Sequence, residues 1–168
     1  MKKKIIITGG LGYIGTELCK LYSGVSWHHK IVVIDNRFVS ERVNQLRNWN
    51  IEFVHGDILD KKLVAKYIGD ADVVHHLAGI TDVPRTKSES SQLQDDKIKL
   101  VGELGTQNIL DIIKNDCKIV FPSTHVVYEG IGQVKKDIKE QEETKPVLSY
   151  STSKAINEKQ LKKSGKKY

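Results

Sequence analysis

Five short apolar runs, rich in β-branched residues, recur along the 168-residue chain with longer stretches of helical character between them. The runs are Ile5-Ile6-Ile7, Ile31-Val32-Val33-Ile34, Ile51-Glu52-Phe53-Val54, Val73-Val74-His75-His76-Leu77 and Ile119-Val120-Phe121. A strand buried on both faces needs no polar alternation, so such runs suit the interior of a parallel sheet. Helical patterning falls at 12–22, 39–49, 61–68, 93–114 and 150–163. Strand and helix in regular alternation predict an α/β fold, a doubly wound parallel sheet in a single domain. Right-handed crossovers then give the strand order 3-2-1-4-5, with a ligand crevice at the carboxyl ends of the strands beside strand 1. The last helix would ordinarily cross over to a sixth strand, so residues 1–168 read as the N-terminal part of a longer protein whose C-terminal substrate lobe is missing. The polar stretch 129–147 reads as an excursion before that helix.

The link between the first strand and the first helix is Thr8-Gly9-Gly10-Leu11-Gly12-Tyr13-Ile14-Gly15. It holds the spacing Gly10-x-Gly12-x-x-Gly15 and also Gly9-x-x-Gly12-x-x-Gly15. A tight turn, a backbone that approaches a pyrophosphate, and a helix packed close to its strand each call for a residue without Cβ. The helix N-terminus then offers free N–H groups to the phosphates. Asp35 ends the second run, placed to accept hydrogen bonds from an adenosine ribose. Strand, loop, helix, strand and acid in this order predict a Rossmann-type site for an adenine dinucleotide. A carboxylate at Asp35 repels a 2′-phosphate and favours NAD over NADP, while Arg37 leaves NADP open.

Tyr150 and Lys154 stand four residues apart, hence on one face of the final helix. An ammonium beside a phenol stabilises phenolate, which predicts a tyrosine pKa below its usual ~10 and a general base at Tyr150. Thr124, at the end of the fifth run, is the candidate hydroxyl that holds a reacting oxygen in line with that phenol.

Composition narrows the partners. No run approaches the ~20 apolar residues of a membrane span, and the basic start has only three isoleucines before Thr8-Gly9-Gly10, too few for a secretory signal. Cys19 and Cys117 have no metal-ligand spacing and suit a reducing, cytoplasmic compartment. The net charge of +6 favours an anionic partner, but much of it lies in a lysine-rich helix end without interleaved aromatics, so no nucleic acid partner is expected. The pairs His28-His29 and His75-His76 read as structural or surface residues, because strand neighbours point to opposite faces and cannot share an ion. Trp27 and Trp49 read as packing anchors.

Taken together, the glycine loop, Asp35-Asn36, Gly56-Asp57-Ile58, His76-Leu77-Ala78-Gly79, Gly105-Thr106 with Asn108, Ser123-Thr124-x-x-Val127-Tyr128 and Pro146-x-x-x-Tyr150-x-x-Ser153-Lys154 resemble the extended short-chain dehydrogenase/reductase superfamily. Within it the pattern looks like the nucleotide-sugar epimerases and dehydratases, of the UDP-galactose 4-epimerase type. The resemblance covers nearly the whole chain. It implies that Gly9, Gly12, Tyr13, Ile14 and Gly15 meet the pyrophosphate, Asp35 and Asn36 the adenosine ribose, and Asp57 and Ile58 the adenine. Leu77, Ala78 and Gly79 would line the path to the nicotinamide. Tyr150 would be the base, Thr124 its hydroxyl partner, and Lys154 would bind the nicotinamide ribose and tune Tyr150. The implied reaction removes a sugar hydroxyl proton as hydride passes to NAD, giving a transient keto sugar; a homodimer through the long helix and the helix of Tyr150 is also implied.

Four residues depart from the family pattern. His125-Val126 stand where dehydratases carry an Asp-Glu pair, which argues against 4,6-dehydration. Gly102 replaces an asparagine, and Glu129 replaces a glycine. A dinucleotide-binding module without catalysis, or another reductase or dehydratase of the family, is the alternative reading, and Thr124, Tyr150 and Lys154 are the residues a pure binder has no reason to keep.

Overall fold

The computed structural model describes residues 2–81, 91–132 and 136–168. Five parallel strands, β1 (Lys4–Thr8), β2 (Lys30–Asp35), β3 (Glu52–His55), β4 (Val73–His76) and β5 (Lys118–Val120), pair in the order β3-β2-β1-β4-β5. This is the expected doubly wound order, and it puts the reversal of direction between β1 and β4. Alternation along each strand feeds two cores. Ile6, Val32, Ile34, Val74 and Ile119 point to one face, while Ile5, Ile7, Ile31 and Val33 point to the other. The first face is covered by Val64 and Ile68 of α3 (Lys61–Ile68), Ile109 and Leu110 of α5 (Gly105–Ile112) and Leu161 of α6 (Ser149–Ser164). Cys19 of α1 (Tyr13–Ser23) and Val43 and Leu46 of α2 (Ser40–Asn48) cover the second. Burial on both faces is why the strand runs carry no polar alternation.

The long helix is not continuous. α4 (Gln92–Lys99), capped by the Ser91 hydroxyl, widens into a π-helical turn at Leu100–Leu104 before α5 begins. Two amides of α6 meet the carbonyls of that turn: Asn157 Nδ2 donates to Gly102 O at 3.0 Å, and Gln160 Nε2 to Glu103 O at 3.1 Å. A Cβ on Gly102 would stand 2.2 Å from Ser153 Oγ, so the missing side chain lets α6 approach. Hydrogen bonds from a neighbouring helix thus stabilise a bulge that helical periodicity alone does not reveal.

A 3-10 segment, His125–Ile131, opens the stretch expected to be irregular. Residues 133–135 and 82–90 lie outside the described residues. Trp49 packs on the second core as expected, but Trp27 is 72 % exposed and anchors nothing, because it follows the end of α1 on the outer surface. His75 and His76 do face opposite ways. His75 Nε2 pairs with the Tyr22 hydroxyl of α1 at 2.7 Å, and His76 is sealed between Thr8 and Thr106. No described helix is long and apolar enough to cross a membrane.

Candidate active site

A cleft of about 750 Å³ runs along the carboxyl ends of the strands, from β2 across β1 to β4 and onto α6. Every residue assigned above to the cofactor lines it: Gly9, Gly12, Tyr13, Ile14 and Gly15 at the first turn, Asp35, Asn36, Asp57 and Ile58 at one end, and Leu77, Ala78, Gly79 and Lys154 toward the other. Tyr150 faces the same cleft.

The glycine turn is shaped by two close approaches. Gly9 adopts φ +69°, and a Cβ there would lie 2.7 Å from the Ala78 amide nitrogen. A Cβ on Gly15 would lie 2.6 Å from Gly10 Cα, where α1 crosses the turn. Asp35, only 5 % exposed, stitches the turn to β2. Its Oδ2 accepts from Leu11 N at 3.0 Å and its Oδ1 from Arg37 N at 2.9 Å. The Arg37 side chain also approaches, with Nε 3.5 Å from Oδ1. α1 itself starts at Gly12 with no side-chain cap and no acidic residue in its first turn. Its N-terminal N–H groups and dipole are therefore left for an anion. Beside them the Gly12 face is open apart from Gly9 O at 3.1 Å and an Arg37 nitrogen at 3.8 Å from a built Cβ. An uncapped helix end, a glycine with room in front of it and a buried acid at the end of the neighbouring strand form a set that fits a dinucleotide pyrophosphate and ribose.

The Asp57 and Ile58 end of the cleft is set by packing from α5. Asn108 Nδ2 donates to Ile58 O at 3.1 Å, and a Cβ on Gly105 would lie 2.3 Å from Ile58 Cδ1. Asn36 Nδ2 donates to Asp57 Oδ2 at 3.0 Å, joining the ends of β2 and β3.

Lys154 donates from Nζ to the Pro122 carbonyl at 2.8 Å, lies over the Phe121 ring at 4.2 Å, and stands 5.9 Å from the centre of the Tyr150 ring. Burial pushes its ammonium down to about 8, against a smaller opposing pull from Glu158. Tyr150 departs from expectation: burial raises its phenol above the ordinary value, and the nearby ammonium does not overcome this. Lys154 spends its charge on Pro122 O and the Phe121 face, whereas desolvation acts on the whole phenol. Thr124 stands next to Ser123, which lines the cleft, and its Oγ1 accepts from Val126 N at 3.4 Å to start the 3-10 segment. His125 is exposed. Ser123, Pro122, Val101 and Arg37 also line the cleft. Of these, Arg37 had a sequence signal, two residues after Asp35, and Ser123 stood in a quoted motif without a role of its own.

The lysine makes a testable contribution to stability. Its folded pKa lies below that of an unfolded lysine, so the unfolded chain binds more protons between pH ~8 and ~10.5 and stability rises with pH across that window. Below pH ~8 the cost of the buried ammonium is constant, on the order of 3 kcal/mol. Urea unfolding of the parent and of Lys154→Met from pH 7 to 10.5 should show the two stabilities converging as pH rises; parallel curves would contradict the burial of this charge.

Residues 5–168 match the NAD dependent epimerase/dehydratase family. The chain belongs to this family. It is 35 % identical over 144 residues to CDP-paratose 2-epimerase of Salmonella typhi, covering 79 % of this chain and 40 % of that protein. It is 30 % identical over 174 residues to UDP-glucose 4-epimerase of Neisseria meningitidis serogroup C, covering 95 % of this chain and 47 % of that one. Among solved structures, UDP-glucuronic acid 4-epimerase of Bacillus cereus, in complex with UDP-glucuronic acid and NAD, superposes with a TM-score of 0.77 at 28 % identity, over 96 % of this chain and 52 % of that one. The chain thus spans about half the length of such relatives or less.

Proposed function

We propose that the chain holds NAD across the cleft and carries the catalytic half of a nucleotide-sugar epimerase. The observation that carries this reading is the meeting of Tyr150 and Lys154 with the glycine turn and Asp35 in one cleft. Gly9, Gly12, Tyr13, Ile14 and Gly15 would cradle the pyrophosphate, Asp35 and Asn36 the adenosine ribose, Asp57 and Ile58 the adenine, and Leu77, Ala78 and Gly79 the approach to the nicotinamide. When bound, NAD supplies a hydride acceptor and donor at the sugar carbon. Tyr150 takes the proton of the sugar hydroxyl, with Thr124 orienting that oxygen. Lys154 holds the nicotinamide ribose and, because its charge is already half-withdrawn from water, interacts strongly with a phenolate formed beside it. His125 and Val126, where dehydratases carry an acid and a base, favour epimerisation over loss of water. The partner that completes the assembly is a second copy of the chain, for which the exposed Leu93, Leu100 and Leu104 along the long helix offer an apolar strip.

Calorimetric titration should give tighter binding of NAD than of NADP, and tighter NADP binding would overturn the role of Asp35. A panel of nucleotide sugars should show interconversion that Tyr150→Phe lowers about 100- to 10,000-fold while NAD affinity is kept. NAD binding with no turnover of any nucleotide sugar would leave a binding module instead.

A further inference from the structure

α6 brings Tyr150 to the cleft, yet its own sequence gives it no cap: the residue at the cap position is Leu148, whose side chain accepts nothing, and no acidic residue lies in its first turn. The backbone that enters this helix, at the N–H groups of Val147 and Leu148, is held from elsewhere. Glu129, exposed within the 3-10 segment, places Oε1 2.8 Å from Val147 N and 2.8 Å from Leu148 N, and the Ser151 hydroxyl donates to the same oxygen. The segments carrying these partners are tied together on either side. Gly130 N donates to Lys145 O at 2.8 Å and Lys145 N to Val127 O at 2.8 Å. The donors bracket Tyr150: the Val147 and Leu148 N–H groups lie before it and the Ser151 hydroxyl just after, shared between this oxygen and Leu148 O at 2.9 Å.

We propose that Glu129 is a positioning residue for the base: its carboxylate caps α6 from a distant part of the chain and thereby sets the direction in which the Tyr150 phenol enters the cleft. This rests on the reading of Tyr150 as the base. Glu129 does not line the cleft, so its effect reaches the phenol through the first turn of α6 and leaves the cofactor contacts alone. A carboxylate at a helix N-terminus also meets the positive end of the helix dipole, which strengthens its grip on the turn.

The test compares Glu129→Ala, which removes the acceptor, with Glu129→Gln, which keeps a carbonyl oxygen in its place. Each is made with and without Tyr150→Phe, so that the alkaline ultraviolet difference spectrum isolates the Tyr150 phenol. The expected result is a displaced Tyr150 titration and at least a tenfold loss of turnover in Glu129→Ala, NAD affinity within about twofold of the parent, and recovery of both signals in Glu129→Gln. Should Glu129→Ala fail to fold, Ser151→Ala, which removes one of the three donors, is read in the same way and should displace the titration more modestly. An unchanged Tyr150 titration in the alanine variant, or a collapse of NAD affinity alongside turnover, overturns the proposal. If the parent itself turns over no nucleotide sugar, the functional reading falls, while the titration of Tyr150 still decides the role of Glu129.

Discussion

Replacing His76 by alanine is expected to lower the stability of the chain by about 3–5 kcal/mol, measured by urea unfolding at neutral pH. The imidazole is 2 % exposed and fills the space between β1, β4 and α5. Thr8 Oγ1 lies 2.8 Å from its Nδ1, Thr106 Oγ1 lies 3.0 Å from its Nε2, and the Phe121 ring is tilted against it at 5.7 Å. Thr8 Oγ1 also accepts from the N–H of Ala78, which lines the cleft, at 3.2 Å. Truncation therefore opens a cavity and strips a partner from two buried hydroxyls at once. The same residue makes the fold acid-sensitive. Burial, with a smaller push from Lys154, lowers its pKa to about 3. Between pH ~6.5 and ~3 the unfolded chain takes up a proton that the folded chain refuses, so stability is full above pH ~6.5 and falls as the pH drops. The loss reaches on the order of 4 kcal/mol by pH ~3. His76→Asn, which cannot titrate, should flatten that slope even if its stability at neutral pH is lower. An equal slope in both proteins would refute the assignment.

Gly9→Ala is expected to remove dinucleotide binding, with a loss of affinity of at least a hundredfold, and to cost about 3 kcal/mol or more of stability. Two penalties combine. An L-residue at φ +69° bears a cost of roughly 1–2 kcal/mol. The new methyl would also lie 2.7–2.8 Å from backbone atoms of Leu77 and Ala78, which no rotamer can relieve. β4 must shift away from the turn, and Leu77, Ala78 and Gly79 move with it. Gly132 separates the two penalties: its φ is +72° with nothing within 4 Å of a built Cβ. Gly132→Ala should cost only about 1 kcal/mol and leave NAD affinity unchanged. Similar losses in both variants would show that backbone strain, not the approach of β4, controls the turn.

Much of the site was legible because its spacing is local. Asp35 ends the strand that follows the glycine loop, and Tyr150 and Lys154 share a helix face, so strand and helix geometry placed them before any tertiary contact was known. Thr124 is the instructive case. Its neighbour Ser123 was visible in the same motif, yet only the folded chain shows that Ser123 lines the cleft while the Thr124 hydroxyl starts a 3-10 turn. The π-helical turn was invisible because Asn157 and Gln160 meet its carbonyls from 55 and 57 residues away.

The alternation of strand and helix, crossover handedness and the glycine spacing were enough to place the five parallel strands in order and a tight turn after β1. Only the tertiary structure decided the electrostatics of the Tyr150 phenol. Whether the Tyr150 phenol is raised by burial or lowered by Lys154 depends on Pro122 and Phe121 competing for the ammonium. Likewise the direction of the phenol depends on Glu129, 22 residues before Ser151, closing on the end of α6. Local pattern sets which residues share a face; desolvation and capping depend on which distant groups fill the space around them, and that is known only once the chain has packed.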